Sequence, residues 1–285
     1  MMSKITAKAA GTITLGDLTV NRMGFGSMRL PGPGIWGEPR DPEAPRAVLR
    51  RAVELDVNFI DTADSYGPGI SERLIAEALR PYPPGLVIAT KGGLLRDGPD
   101  MWRPDGRPSH LREALEGSLR RLGLDRIDLY QFHRPDPMVP FEESVGALVQ
   151  MKDEGKIRHI GLSNVNQDQL GRALELTEIV SVQNRYNLMD RDSEGVLDRC
   201  ESLGIAFLPW FPLGAGQIAS AGRRLAKLAS EHGATVGQIA LAWLLARSPL
   251  MLPIPGTSSV AHLEENIAAA SIRLSNTEVE VLAAA

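Results

Sequence analysis

From Val57 onward, short apolar runs alternate with longer segments whose apolar residues recur at helical spacing. The runs Val57–Ile60, Leu86–Thr90, Ile127–Phe132, Ile157–Leu162, Ile179–Gln183, Ile205–Pro209 and Met251–Ile254 read as buried strands. Between them the pattern predicts helices over Ser71–Arg80, Ser109–Leu122, Phe141–Glu154, Gln167–Leu176, Asp192–Leu203, Ala221–His232, Thr235–Arg247 and Val260–Ala270, with Ser71 as a cap of the first. Upstream, Gly11–Val20 alternates, breaks at Gly16-Asp17 and alternates again, which predicts a β-hairpin. Met23–Met28 is a further strand, Leu30–Pro42 a proline- and glycine-rich loop, and Ala44–Asp56 a helix. Counting Met23–Met28, eight strands are each followed by a helix or a long connection. Strands alternating with helices imply a parallel sheet, and eight units in fewer than 300 residues imply an α/β fold of the (β/α)8 TIM barrel class, with an N-terminal β-hairpin and one domain over residues 1–285. A doubly wound sheet is the other option. It usually carries a Gly-x-Gly-x-x-Gly turn, and the sequence has none.

Composition changes this picture little. The chain has 285 residues, 43% of them hydrophobic, enough for a full core. A net charge of −4 with scattered Lys and Arg argues against a nucleic-acid partner. The single cysteine, Cys200, forms no internal disulfide, and no Cys/His cluster has metal-ligand spacing, so no metal site is expected. No apolar run approaches membrane-spanning length and the N-terminus lacks a signal-like core. The expectation is a cytoplasmic protein without a membrane partner, with a monomer as the default state.

The polar residues that end the strands carry the candidate chemistry. Asp61 closes the second strand, with Tyr66 beyond it. Lys91 follows the third, His133 the fourth, Ser163 and Asn164 the fifth, Gln183 and Asn184 the sixth, and Trp210 the seventh. In a barrel these side chains converge on one rim, the face where such folds keep their active sites. Each alone has an ordinary explanation. A strand-end Lys is commonly a solvated terminus. Ser163-Asn164 suits a helix cap before Gln167. Arg120-Arg121 and Glu142-Glu143 read as solvated helix faces, and His110, His159 and His232 as structural.

Taken together, these motifs resemble the aldo-keto reductases. Asp61-Thr62-Ala63-x-x-Tyr66-Gly67, Thr90-Lys91, Leu129-Tyr130-x-x-His133, Gly161-Leu162-Ser163-Asn164 and Ile254-Pro255-Gly256-Thr257 fall in the family's order over nearly the whole chain. The segments Gly32-Pro33-Gly34-Ile35-Trp36-Gly37, Phe211-Pro212-Leu213-Gly214 and Gly256–Leu263 look closest to a bacterial branch that includes pyridoxal reductases.

The resemblance implies an NADPH-dependent reductase of aldehydes and ketones, with NADH as the alternative coenzyme. It implies Asp61, Tyr66, Lys91 and His133 as the catalytic set. Carbonyl reduction needs a hydride, which no side chain supplies, and a proton from a nearby acid. Tyr66 would donate that proton, Lys91 would lower the phenol's pKa, Asp61 would hold Lys91, and His133 would orient the carbonyl. Coenzyme contacts carry over to Ser163, Asn164 and Gln183 at the nicotinamide amide and to Trp210 on its ring. Leu213, Gly214 and Gly216 fall at the diphosphate, Gly256, Thr257, Ser258, Ser259 and His262 at the 2′-phosphate, and Glu265 and Asn266 near the adenine. His262 stands near a position where many relatives have arginine, which leaves the phosphate without a guanidinium. Phe25, Met28, Trp36, Trp102 and Arg134 are candidate substrate walls. They suit a flat or apolar aldehyde such as pyridoxal. Two other functions fit parts of the pattern: a coenzyme-binding redox sensor with slow turnover, and a Schiff-base barrel enzyme using Lys91.

Overall fold

A computed structural model describes residues 5–214 and 223–283. The strands are β1 (Thr12–Leu15), β2 (Leu18–Asn21), β3 (Phe25–Gly26), β4 (Phe59–Asp61), β5 (Val87–Gly92), β6 (Leu94–Gly98), β7 (Met101–Pro104), β8 (Ile127–Phe132), β9 (Ile157–Ser163), β10 (Ile179–Arg185) and β11 (Ala206–Trp210). The helices are α1 (Glu43–Glu54), α2 (Ile70–Leu79), α3 (Pro108–Leu122), α4 (Phe141–Asp153), α5 (Gln167–Leu174), α6 (Glu194–Leu203), α7 (Arg223–Glu231), α8 (Val236–Arg247), α9 (Val260–Ala268) and α10 (Asn276–Ala283).

Strands β3, β4, β5, β8, β9, β10 and β11 lie side by side in that order, all parallel. The expected eighth strand, Met251–Ile254, is an extended segment that bridges the two edges. Phe207 N–H donates to Leu250 O and Leu252 N–H to Phe207 O, while Gly24 N–H donates to Pro253 O on the opposite edge. The barrel therefore closes through a seam too short to register as a full strand. Glycine makes that seam possible: a Cβ on Gly26 would lie 2.6 Å from Ile254 O, and one on Gly256 would lie 2.5 Å from Gly26 O.

Inward positions follow the two-residue period of a strand. Toward the N-terminal ends they are apolar: Phe59, Val87, Ala89, Leu129, Ala206, Leu208 and Leu252 form one cluster with Ile13, Leu15, Leu18 and Val20 of the β1–β2 hairpin. The hairpin thus plugs the barrel floor. Outward positions pack under the helices in a second, larger cluster that includes Ile60, Ile88, Tyr130, Phe132 and Leu162.

Local differences from the pattern have clear causes. Ser71 does not cap α2, whose N-cap is Gly69 at φ +75°. The Ser71 hydroxyl instead joins a buried chain with Thr62 and Ser27 that ends on Asp61 O. The β6–β7 hairpin lies within a connection read as loop, since its half-exposed polar residues give no apolar run. Helix α5 is capped by Asn166 with Gln169 in a reciprocal capping box, which frees Ser163 and Asn164 for other work.

Candidate active site

The period that puts Phe59 and Ala89 in the floor puts Asp61 and Lys91 one step higher, inside the C-terminal mouth. Gln131 and Gln183 occupy the corresponding places on β8 and β10. Lys91 Nζ donates to Asp61 Oδ2 at 2.6 Å and to Thr62 O at 2.8 Å, and reaches Tyr66 Oη at 3.4 Å. Lys91 is fully buried and Asp61 2% exposed. A buried pair survives only when the remaining valences are satisfied. Here they are: Gln131 and Gln183 both donate to Asp61 Oδ1, at 2.9 and 2.8 Å.

Gln131 was not singled out from the sequence, because a lone glutamine in a strand carries no signal of its own. Its inward place two residues before His133 was the available clue. Gln183, expected at a nicotinamide amide, has its side-chain nitrogen on Asp61 while still lining the central cavity.

Electrostatics refine the expected roles. Burial pushes the Tyr66 phenol upward; Lys91 pulls it down and Asp61 raises it, and the net shift is upward. Lys91 therefore acts in the expected direction, lowering the phenol, but burial outweighs the ammonium. Burial alone would lower Lys91, but Asp61 and Tyr66 outweigh it and hold the amine charged. Burial, then Lys91 and Arg134, keep His133 well below the ordinary imidazole value, so it is neutral near pH 7. Its ring meets Tyr66 edge-on at 5.9 Å, and its Nδ1 lies 3.4 Å from Ser65 Oγ.

A cavity of about 120 Å³ opens above this set, lined by Met28, Tyr66, Gln183, Trp210, Leu213 and Gly256 among others. Trp210 Nε1 donates to Asn164 Oδ1 at 3.1 Å, and Asn164 Nδ2 donates to His133 O and Ser163 Oγ. Asn164, in the left-handed region at φ +59°, links the indole to the His133 loop. The flat indole and the amides beside it fit a nicotinamide ring.

The other expected contacts divide. Leu213 lines the cavity, Gly214 closes a turn onto Phe211 O, and Gly216 lies outside the described residues. Thr257 is buried, and its hydroxyl accepts from Ser259 N–H. Ser258 and His262 are exposed, and Ser259 caps α9. Glu265 accepts from Thr235 Oγ1 at 2.7 Å, and Asn266 is buried.

Among the substrate walls, Phe25 is corrected. It points outward into the core under the helices, because Gly24 and Gly26 take the inward positions of its strand. Trp102 meets Tyr66 edge-on at 6.3 Å, and Trp36 pairs with Gly67 through a backbone bridge. Arg96 ties these walls together. Its guanidinium lies 3.6 Å from the Trp102 ring centroid and donates to the carbonyls of Gly34, Ile35, Ser65 and Gly98. Arg134 is exposed beside His133. Arg121, read as a solvated face, instead reaches the buried Glu72 at 2.7 Å, which accepts from Thr90 at 2.5 Å.

A parallel barrel with a buried Asp–Lys–Tyr set at its C-terminal mouth defines a carbonyl oxidoreductase of the barrel type. The model of the Aldo/keto reductase family matches residues 22–285, and the chain belongs to that family. It is 54% identical over 274 residues to an uncharacterized oxidoreductase of Schizosaccharomyces pombe, covering 96% of this chain and 89% of that one. It is 45% identical over 280 residues to pyridoxine 4-dehydrogenase of Escherichia coli, covering 96% and 98%. Among solved structures, an aldo/keto reductase from Klebsiella pneumoniae in complex with NADP and acetate superposes at a TM-score of 0.79 with 28% identity, covering 95% and 93%. Among the described residues, no helix is long and apolar enough to cross a membrane and no cluster could hold a metal ion.

Proposed function

We propose that this oxidoreductase is a cytoplasmic enzyme that reduces aldehydes to alcohols with a nicotinamide coenzyme, NADPH in preference to NADH. Its natural class of substrate is a flat aromatic aldehyde of the pyridoxal type. The observation that carries the reading is the Lys91 ammonium held between Asp61, at 2.6 Å, and Tyr66 Oη, at 3.4 Å.

The bound coenzyme supplies the hydride. The residues of this chain do the rest. Trp210, held by Asn164, offers the flat wall for the ring. Tyr66, with its pKa raised, stays protonated at neutral pH and gives its proton to the carbonyl oxygen as negative charge builds there. Lys91 stabilises the phenolate left behind, and Asp61 keeps Lys91 charged and aimed. Neutral His133 offers a ring N–H to orient the oxygen. Trp102 meets Tyr66 edge-on, Trp36 pairs with Gly67 next to it, and such indoles suit a flat ring; the 45% identity to a pyridoxine dehydrogenase supports that class.

The test is coenzyme consumption with pyridoxal and with 4-nitrobenzaldehyde, each against NADPH and NADH. Faster turnover of pyridoxal with NADPH is the expected result. Tight coenzyme binding without turnover of either aldehyde would move the assignment to a sensing role.

A further inference from the structure

The sequence offers no guanidinium near Ser258 and His262 for the coenzyme's phosphates. The structure supplies two from the other side. Arg29 lines the central cavity with Tyr66, Trp210 and Gly256. The same Arg29 lines a second cavity of about 540 Å³, together with Arg40 and Ser258. Arg29 and Met28 are thus the wall common to both spaces. A dinucleotide with its reactive ring at Tyr66 has to carry its phosphates out of a space of about 120 Å³, and the second cavity adjoins it across that wall.

Three charged residues line the second cavity: Arg29, Arg40 and Asp41. Two cations face one anion, and Asp41 is occupied, with Oδ1 accepting from Glu43 N–H at 2.9 Å. Among the described residues neither Arg29 nor Arg40 has an ion pair or a side-chain hydrogen bond. The nearby arginines of α1 and α2 are different: Arg46, Arg50, Arg51 and Arg73 are all paired with glutamates. Unpaired guanidinium groups present planar forks that match phosphate oxygens.

We propose that Arg29 and Arg40 anchor the phosphates of the coenzyme, as specificity-determining residues contributed by the connection between β3 and α1. This rests on the coenzyme reading above. The charge absent from the C-terminal side of the site is supplied across the barrel seam, beside Ser258 and the N-terminus of α9.

The test is equilibrium binding of NADPH and of NADH to the full chain, followed by quenching of tryptophan fluorescence. The variants are Arg29→Ala, Arg29→Lys and Arg40→Ala. Each alanine variant is expected to weaken NADPH on the order of tenfold, as for a lost charged hydrogen bond. Both side chains are exposed, so melting temperatures should match the wild type. Arg29→Lys should recover part of the loss, since charge returns without the fork. A loss shared by NADH assigns a residue to the bridging diphosphate, and a loss confined to NADPH assigns it to the 2′-phosphate. Alanine variants that bind both coenzymes within about twofold of wild type overturn the proposal. Failure of the wild type to bind either coenzyme would sink the coenzyme reading and this proposal with it.

Discussion

The two ends of the barrel obey one periodicity and reach opposite results. At the floor, inward residues are apolar and meet Leu15 and Val20 of the hairpin, both fully buried. At the mouth, the next inward residues on the same strands are Asp61, Lys91, Gln131 and Gln183, equally buried and joined by hydrogen bonds. The floor gains free energy by excluding water from hydrocarbon. The mouth spends it by desolvating charges and recovers it only through partners. Stability and chemistry are therefore separated along the barrel axis, and substitutions should separate them too.

The largest expected effect is Tyr66→Phe. Removing one hydroxyl removes the proposed proton donor, so kcat should fall about a hundred- to ten-thousandfold, the usual size of general acid catalysis. Packing hardly changes, so the melting temperature and coenzyme affinity should stay near wild type. Steady-state kinetics beside a thermal melt decides it, and unimpaired turnover would falsify the assignment of Tyr66.

Lys91→Met should damage both properties. It strands Asp61 in the interior with only the two glutamine amides, and breaking a buried pair costs about 3–5 kcal/mol. Adding Asp61→Asn should return part of that stability without returning activity. A double-mutant cycle by denaturant unfolding measures the coupling. If the two losses simply add, the pair is not coupled as described.

The floor gives the converse. Leu15→Ala leaves a cavity under the barrel and should cost about 2–5 kcal/mol. Activity below the new melting point should be unchanged, because nothing polar moves. A comparable loss of kcat would show that the floor and the mouth are not separable.

The same contrast explains what the sequence made legible. Apolar runs and helical spacing marked both the barrel and the rim, since periodicity reports which side chains face inward. Asp61, Tyr66, Lys91 and His133 were visible as polar breaks at strand ends, and the structure brings them together. What escaped was pairing between distant elements. Gln131 becomes important only because it touches Asp61, 70 residues away. Arg121 looked solvated until α3 was packed on α2, where it meets Glu72. Phe25 looked like a pocket wall because it falls at the rim that carries the other candidates, but alternation turns it outward. The eighth strand showed as an apolar run, whereas its thin backbone pairing depends on two glycines meeting across the seam.

Asp64 gives the smallest effect and the finest measure of what the mouth costs. It follows Asp61, the residue that holds Lys91, in the same loop, and its Oδ1 is buried without a partner although the residue's outer surface is partly exposed. Burial, and then the neighbouring Glu72 carboxylate, push its pKa from 3.8 up to about 8. The folded protein therefore holds a proton here that the unfolded chain releases above about pH 4. Stability from this residue is present at low pH and declines as pH rises from about 4 to about 8. Asp64→Asn, neutral at every pH, should melt close to wild type at about pH 4 and above it at about pH 8. The quantity to follow is the difference in melting temperature between variant and wild type, which cancels the other titrating groups. A difference that widens steadily across that window locates the strain at the loop between Asp61 and Tyr66. A difference that stays flat would mean that Asp64 is ionised in the folded protein, and that the loop beside Tyr66 carries less electrostatic cost than its burial implies.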